Sequence, residues 1–309
     1  MLRKLFYSIK PLIPRSFQIF LRRNLVRIQR IKYKDVWPIF RSSEVKPKNW
    51  RGWPEDKKFA FVLTHDVELQ GGHDKSLKLA LLEKELGFVS SFNFVPERYN
   101  VSPEVRNELV QLGFEVGVHG LNHDGRLFFN KEIFDERAKK INEYIKQWNA
   151  TGFRAPAMHH NLEWIHDLNI KYDLSTFDTD PFEPQSDGVG TIFPFIVASK
   201  DNDCKYVELP YTLVQDFTLF ILMQEKDIQV WRNKVDWIAE KGGMVLVNVH
   251  PDYIDFGNGK SKKEEFSVKL YIDLLQYING KYSDKYWNVL PKDVAKYIFN
   301  QQPQTITAH

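Results

Sequence analysis

From Phe59 onward the chain alternates short apolar runs with stretches whose apolar residues recur at helical spacing. Runs at 59–64, 88–95, 114–118, 152–154, 172–175, 206–209 and 244–249 read as strands, and 287–290 as a last one. Helices are expected between them at about 75–86, 103–112, 131–148, 162–168, 226–241 and 266–278, with Pro291 opening a final one. Ser102-Pro103 supplies an N-cap and first-turn pair. Strands alternating with helices make a parallel sheet with helices outside. Seven or eight such units in about 240 residues suit a closed barrel better than an open sheet. The expected fold is α/β, a distorted (β/α) barrel over residues 58–300 with a tail at 301–309, frayed. There is no internal repeat and no low-complexity segment.

Residues 1–57 differ in character. Residues 1–34 hold ten Lys or Arg and no acid. From Ser16, a candidate N-cap, Phe17, Phe20, Leu21, Leu25, Ile28 and Ile31 recur at helical spacing, with Arg22, Arg23, Arg27 and Arg30 on much of the remaining surface. Such a basic amphipathic extension either lies on an anionic membrane as a peripheral contact, or packs its apolar stripe on the barrel and turns its arginines to water. Residues 35–58, rich in Trp and Pro, read as a linker wrapped over the barrel. A net charge of +3 gives no argument for nucleic acid. Cys204 is the only cysteine, so no internal disulfide forms, as in a reducing compartment. No signal peptide is read, and no uncharged apolar run reaches the ~18–20 residues of a membrane span. These features predict a cytoplasmic protein.

The reactive residue types follow the strand runs at their C-terminal ends: Asp66 and Glu68 after the first, His119 and His123 after the third, Arg154 after the fourth, Asp173 and Asp178 after the fifth, His250 after the seventh. In a parallel barrel those ends share one rim, where active sites lie. His119 and His123 stand four residues apart, so one helical turn would aim both at a single metal ion. Taken singly, each residue has an ordinary reading: His250 as a strand-end histidine, Arg154 in a structural ion pair, Glu68 as an exposed carboxylate. Glu208 and Asp216, after the sixth strand, read equally as substrate contacts or as loop anchors.

Thr64-His-Asp66-Val-Glu68, His119-x-x-x-His123, Arg154-Ala-Pro156 and Val247-Asn-Val-His250-Pro251 occur in the order of the polysaccharide deacetylase family, also called carbohydrate esterase family 4. The resemblance covers roughly residues 58–300. It implies a distorted barrel, one divalent metal, zinc or another ion such as cobalt, and hydrolysis of an N-acetyl group from an amino sugar. The family's first motif usually reads Thr-Phe-Asp-Asp-Gly, the first aspartate being the base and the second a metal ligand. Here the base falls on Asp66. The ligand position falls on Val67, and Glu68 looks like the substitute, as in the branch that writes Asp-Val-Asp or Asp-Val-Glu. Strand alternation agrees, since Asp66 and Glu68 point one way and Val67 the other. Asp66 stays open as an alternative third ligand. His119 and His123 match the metal histidines, Arg154 the arginine that orients the base, and His250 the general acid. Asp178 is chosen over Asp173 and Asp180 for the remaining aspartate, to pair with Arg154 or to hold His250 in the right tautomer. The substrate implied is an N-acetylated sugar, in a cytoplasmic setting a nucleotide-linked or lipid-linked precursor. Two other readings keep the barrel: an amidase on a small amide, as in allantoinases, and a metal-free glycan-binding pseudoenzyme.

Overall fold

The computed structural model describes residues 13–199, 204–257, 262–301 and 305–307. In chain order the strands are β1 Phe59–Val67, β2 Ser90–Phe94, β3 Glu115–His119, β4 Gly152–Arg154, β5 Tyr172–Asp173, β6 Phe195–Ala198, β7 Lys205–Glu208, β8 Met244–Asn248, β9 Ile254–Asp255, β10 Phe266–Ser267, β11 Tyr286–Asn288 and β12 Thr305–Thr307. The α-helices are α1 Arg15–Lys32, α2 Gln70–Glu85, α3 Pro103–Gln111, α4 Lys131–Trp148, α5 Gln229–Lys241, α6 Val268–Tyr282 and α7 Pro291–Gln301. Strands β8, β1, β2, β3, β4, β5 and β7 run parallel side by side, and β11 joins the start of β1. The sheet curls into a distorted (β/α) barrel. β7 and β8 do not pair. The gap is bridged where the N–H groups of Thr212 and Leu213 donate to the Leu246 carbonyl at 3.0 and 3.1 Å.

β1 carries the architecture. All nine of its residues are buried, because its edges pair with β8 on one side and with β2 and β11 on the other. Its even residues Ala60 and Val62 pack with Tyr172, Leu174, Val207, Leu209 and Leu246. Its odd residues Phe59, Phe61, Leu63 and Val67 pack with the helices. Period-two alternation therefore puts Asp66 on the inward face and Val67 on the outward one. His65 shares the outward face. It is fully buried between the Val249 carbonyl, at 2.9 Å, and Glu83, at 2.7 Å.

Four expectations need correction. β6, antiparallel to β7, lies in what reads as a long loop, because its four residues show no alternation beyond a short apolar run. Residues 162–168 form only a 3-10 turn, Trp164–Asp167. Within the tail, Thr305–Thr307 pairs with β6 instead of fraying. The fourth concerns α1, which begins at Arg15 after Pro14 rather than capping at Ser16. Four of its five arginines meet the barrel. Arg15 binds Glu264 at 2.9 Å, Arg30 binds Glu225, Arg23 donates to the Ile221 carbonyl at 2.9 Å, and Arg22 lies over the Phe217 ring. Ile19 and Val26 are its buried residues, whereas all six members of the apolar stripe are exposed. Further along, Trp37 packs edge-on to Phe182, and the Trp53 indole donates to the Gly242 carbonyl at 2.9 Å. No described helix is long and apolar enough to cross a membrane.

Candidate metal centre and active site

Asp66, Glu68, His119, His123 and His250 line one cleft of about 560 Å³ at the C-terminal rim of the barrel. Glu68 follows the last residue of β1. Its backbone N–H and those of Leu69 and Gly72 all donate to the Asp252 carboxylate, at 2.8 to 3.1 Å, so the turn into α2 is held from the far strand end. His119 is the last residue of β3. Gly120, at φ +63°, then turns the chain where a side chain would strike Pro156. His123 sits at φ 54°, so the pair is brought together by a left-handed turn and not by the helical turn its spacing suggests. The two rings are 5.0 Å apart.

Single ligand atoms of Glu68, His119 and His123 all lie within 4.8 Å of one another. His119 donates its Nδ1–H to the Arg154 carbonyl at 3.1 Å, which leaves Nε2 with its lone pair toward the cluster. His123 Nε2 is 2.9 Å from Glu68 Oε1 yet has no hydrogen bond, a buried donor atom without a hydrogen-bond partner. Two imidazoles and a carboxylate form a ligand set used by hydrolytic zinc. The donor set and the orphaned nitrogen together fit a divalent ion. Tyr253 donates to the other Glu68 oxygen at 2.9 Å. Burial raises the Glu68 pKa, but the facing histidines hold it well below the usual carboxylate range. Burial also brings His119 down to about 4, against the pull of Asp66.

Asp66 stands beside this set, its Oδ2 3.9 Å from His119 Nε2 and 3.5 Å from Arg154 Nη1. Burial would raise its pKa. The Arg154 guanidinium and the histidines instead bring it down to about 2, so it is a carboxylate at neutral pH. Arg154 is fully buried and none of its guanidinium nitrogens makes a hydrogen bond, so it acts on Asp66 as a charge. The aiming falls to two residues that the sequence reading passed over. Asn93 donates to Oδ1 at 3.2 Å and Asn248 to Oδ2 at 2.8 Å. An asparagine inside an otherwise apolar strand run was the available signal for Asn248, whereas Asn93 shares its run with Ser90 and Ser91.

His250 follows β8 and turns its Nε2 to within 3.9 Å of Glu68. Its Nδ1 donates to Asp216 at 2.6 Å, and its backbone N–H donates to the other Asp216 oxygen at 2.8 Å. Burial would lower the His250 pKa, but Asp216 raises it to about 10. Asp178, expected against Arg154 or His250, is instead buried against Lys234 at 2.8 Å. Asp173 accepts from Ser175, and Asp180 accepts from Tyr211 at 2.8 Å. The aspartate that meets His250 is Asp216, whose sequence position alone left substrate contact and loop anchoring equal. Lys234 accounts for the difference, since a cation on α5 claims Asp178 and no run periodicity forecasts which carboxylate it meets.

No family model matches the chain, and no curated protein matches it. Solved structures do. A Mycobacterium smegmatis protein assigned as a polysaccharide deacetylase superposes with a TM-score of 0.63 at 17% identity, over 86% of this chain and 97% of that one. The Puue allantoinase superposes with a TM-score of 0.62 at 14% identity, over 82% and 94%. A protein from Pseudomonas aeruginosa PAO1, also assigned as a polysaccharide deacetylase, has the same values. The barrel is thus the fold that these proteins share.

Proposed function

We propose that this protein is a metal-dependent hydrolase that removes an N-acetyl group from an amino sugar in a polysaccharide or glycolipid precursor. The observation that carries the reading is the convergence of Glu68, His119 and His123 within 4.8 Å, flanked by Asp66 and by a His250 bound to Asp216. Zinc, or another divalent ion such as cobalt, is the metal of this reading, with those three residues as its ligands. When bound, it would polarise the amide carbonyl and acidify the attacking water. Asp66, ionised and held by Asn93 and Asn248, takes the proton of that water. The water oxygen bonds to the carbonyl carbon, the C–N bond breaks, and His250 Nε2 gives its proton to the departing nitrogen. Acetate and the free amine leave. Asp216 keeps the His250 Nδ1–H engaged, so the exchangeable proton sits on Nε2. A cytoplasmic setting with a nucleotide-linked or lipid-linked precursor completes the reading, supported by the lone Cys204.

The test is acetate release from an N-acetylated amino sugar by the zinc-loaded or cobalt-loaded protein. His119→Ala is expected to lose bound metal on elemental analysis. Asp66→Asn is expected to keep it while turnover falls about 10²- to 10⁴-fold. A D66N protein at full turnover would show that another group is the base. Ring-opened product from a small cyclic amide, without acetate release, would move the assignment to the allantoinase-like reading. Failure to bind any divalent metal would leave a glycan-binding barrel.

A further inference from the structure

We propose that the outward face of α1 docks on an anionic lipid bilayer, and that the cleft opens beside that bilayer to take a lipid-linked sugar. The docking half stands on the helix alone; the sugar half rests on the deacetylase reading.

Phe17, Phe20, Leu21, Leu25, Ile28 and Ile31 are between 47% and 76% exposed. Ten large hydrophobic residues are exposed among the described residues, and these six sit on one 18-residue helix. A contiguous apolar stripe in water marks an interaction surface. The barrel cannot cover it, because the opposite face of α1 is fixed there by Ile19, Val26 and the bonds from Arg15, Arg22, Arg23 and Arg30. The usual amphipathic arrangement is inverted, with four arginines inward and the stripe outward.

Charge selects the occupant. Arg27, Lys32 and Lys34 are exposed on α1 and just beyond it, against one exposed acid, Asp35. Apolar side chains bordered by Lys and Arg suit acyl chains beneath a layer of lipid phosphates. A second copy meeting stripe to stripe would bring the exposed cations of both copies, Arg27 and Lys32, toward one another. Position supplies the functional half. Leu21 and Leu25 of the stripe line the same cleft as Asp66, His119, His123 and His250. A bilayer against the stripe therefore lies at the cleft mouth, where a sugar headgroup reaches the carboxylates while its lipid stays among its neighbours.

The experiment is flotation of the full chain with vesicles of phosphatidylglycerol in phosphatidylcholine, against phosphatidylcholine alone. Binding is expected to the anionic vesicles and to weaken as salt rises. Phe20→Glu with Ile28→Glu should reduce it about tenfold or more, with circular dichroism and metal content unchanged. Arg27→Glu should reduce the preference for anionic over neutral vesicles. No vesicle binding, or equal binding by the double variant, overturns the proposal. So does a lipid-free dimer that the double variant converts to a monomer, which would make the stripe a self-contact. Vesicle binding without acetate release would sink the deacetylase reading and leave the docking surface standing; acetate release without vesicle binding does the reverse.

Discussion

In the proposed mechanism His250 serves as an acid only through what lies behind it. A buried imidazole in an apolar setting sheds its proton, and burial alone pushes His250 that way. Asp216, itself fully buried, takes both the Nδ1–H and the backbone N–H of His250, which fixes the ring and favours its charged form. Asp216→Asn keeps an acceptor oxygen but removes the charge. Turnover is expected to fall about 10²-fold or more, with KM for the sugar and bound zinc nearly unchanged. A variant that loses zinc in step with activity would mean that Asp216 only supports the metal set. The side chains proposed to bind metal and to react could be picked out of the sequence, since each sits at a strand end in a recognisable order. Their partners were not. Asp216 reaches His250 from 34 positions away, and Asn93 and Asn248 reach Asp66 from two other strands. Asn248 lies inside the Val247–Pro251 motif, which is read only for His250, and Asp216 and Asn93 belong to no spacing pattern that a single sequence displays.

Strand β3 shapes the site through a residue other than the histidine that ends it. Gly117 faces Asn93 across the β2–β3 pair, and a Cβ there would come within 2.1 Å of the Asn93 Oδ1. Asn93 is the residue that donates to Asp66, so the missing side chain at 117 leaves room for that donation. Gly117→Ala is expected to cost about 1–3 kcal/mol in urea unfolding by overpacking, and to lower turnover further than that loss of folded protein explains. Gly280→Ala, where a Cβ meets nothing within 4 Å, is the control and should be neutral or slightly stabilising. Equal effects at both positions would dismiss the packing argument. Most elements could be read because strand burial writes itself as apolar runs and helix burial as a 3.6-residue stripe. The helix α1 defeats that rule. Its apolar stripe is real, but Glu264, Glu225, Phe217 and the Ile221 carbonyl hold the opposite face. Periodicity locates a stripe and leaves open which way it faces when the other side is matched by acids elsewhere in the chain.

The extension, the rim loops and the barrel meet in a buried polar cluster, and it gives the whole molecule a pH dependence. Asp178 and Asp180 are each pushed up to about 6 by burial, Asp178 despite Lys234 of α5. Burial, with Asp180 beside it, pushes Glu183 up to about 8. Glu183 Oε1 accepts from Tyr211 at 3.0 Å and Gln215 at 2.6 Å, and Arg22 of α1 opposes the rise through its charge. A raised carboxyl binds more protons folded than unfolded. Its contribution to stability is therefore complete below its ordinary value, 4.5 for Glu183, and is lost as pH rises through about 8. The urea midpoint should accordingly fall between about pH 5 and pH 8. Glu183→Gln keeps an oxygen for Tyr211 and Gln215 but cannot ionise, so its midpoint should fall less over the same interval. Zinc is held constant in both series, so that metal loss does not enter the comparison. A variant with the same slope as wild type would mean that Glu183 is already ionised in the folded chain. The charge of Arg22 would then outweigh burial, and α1 would be bound to the rim by an ion pair instead of resting beside a neutral acid.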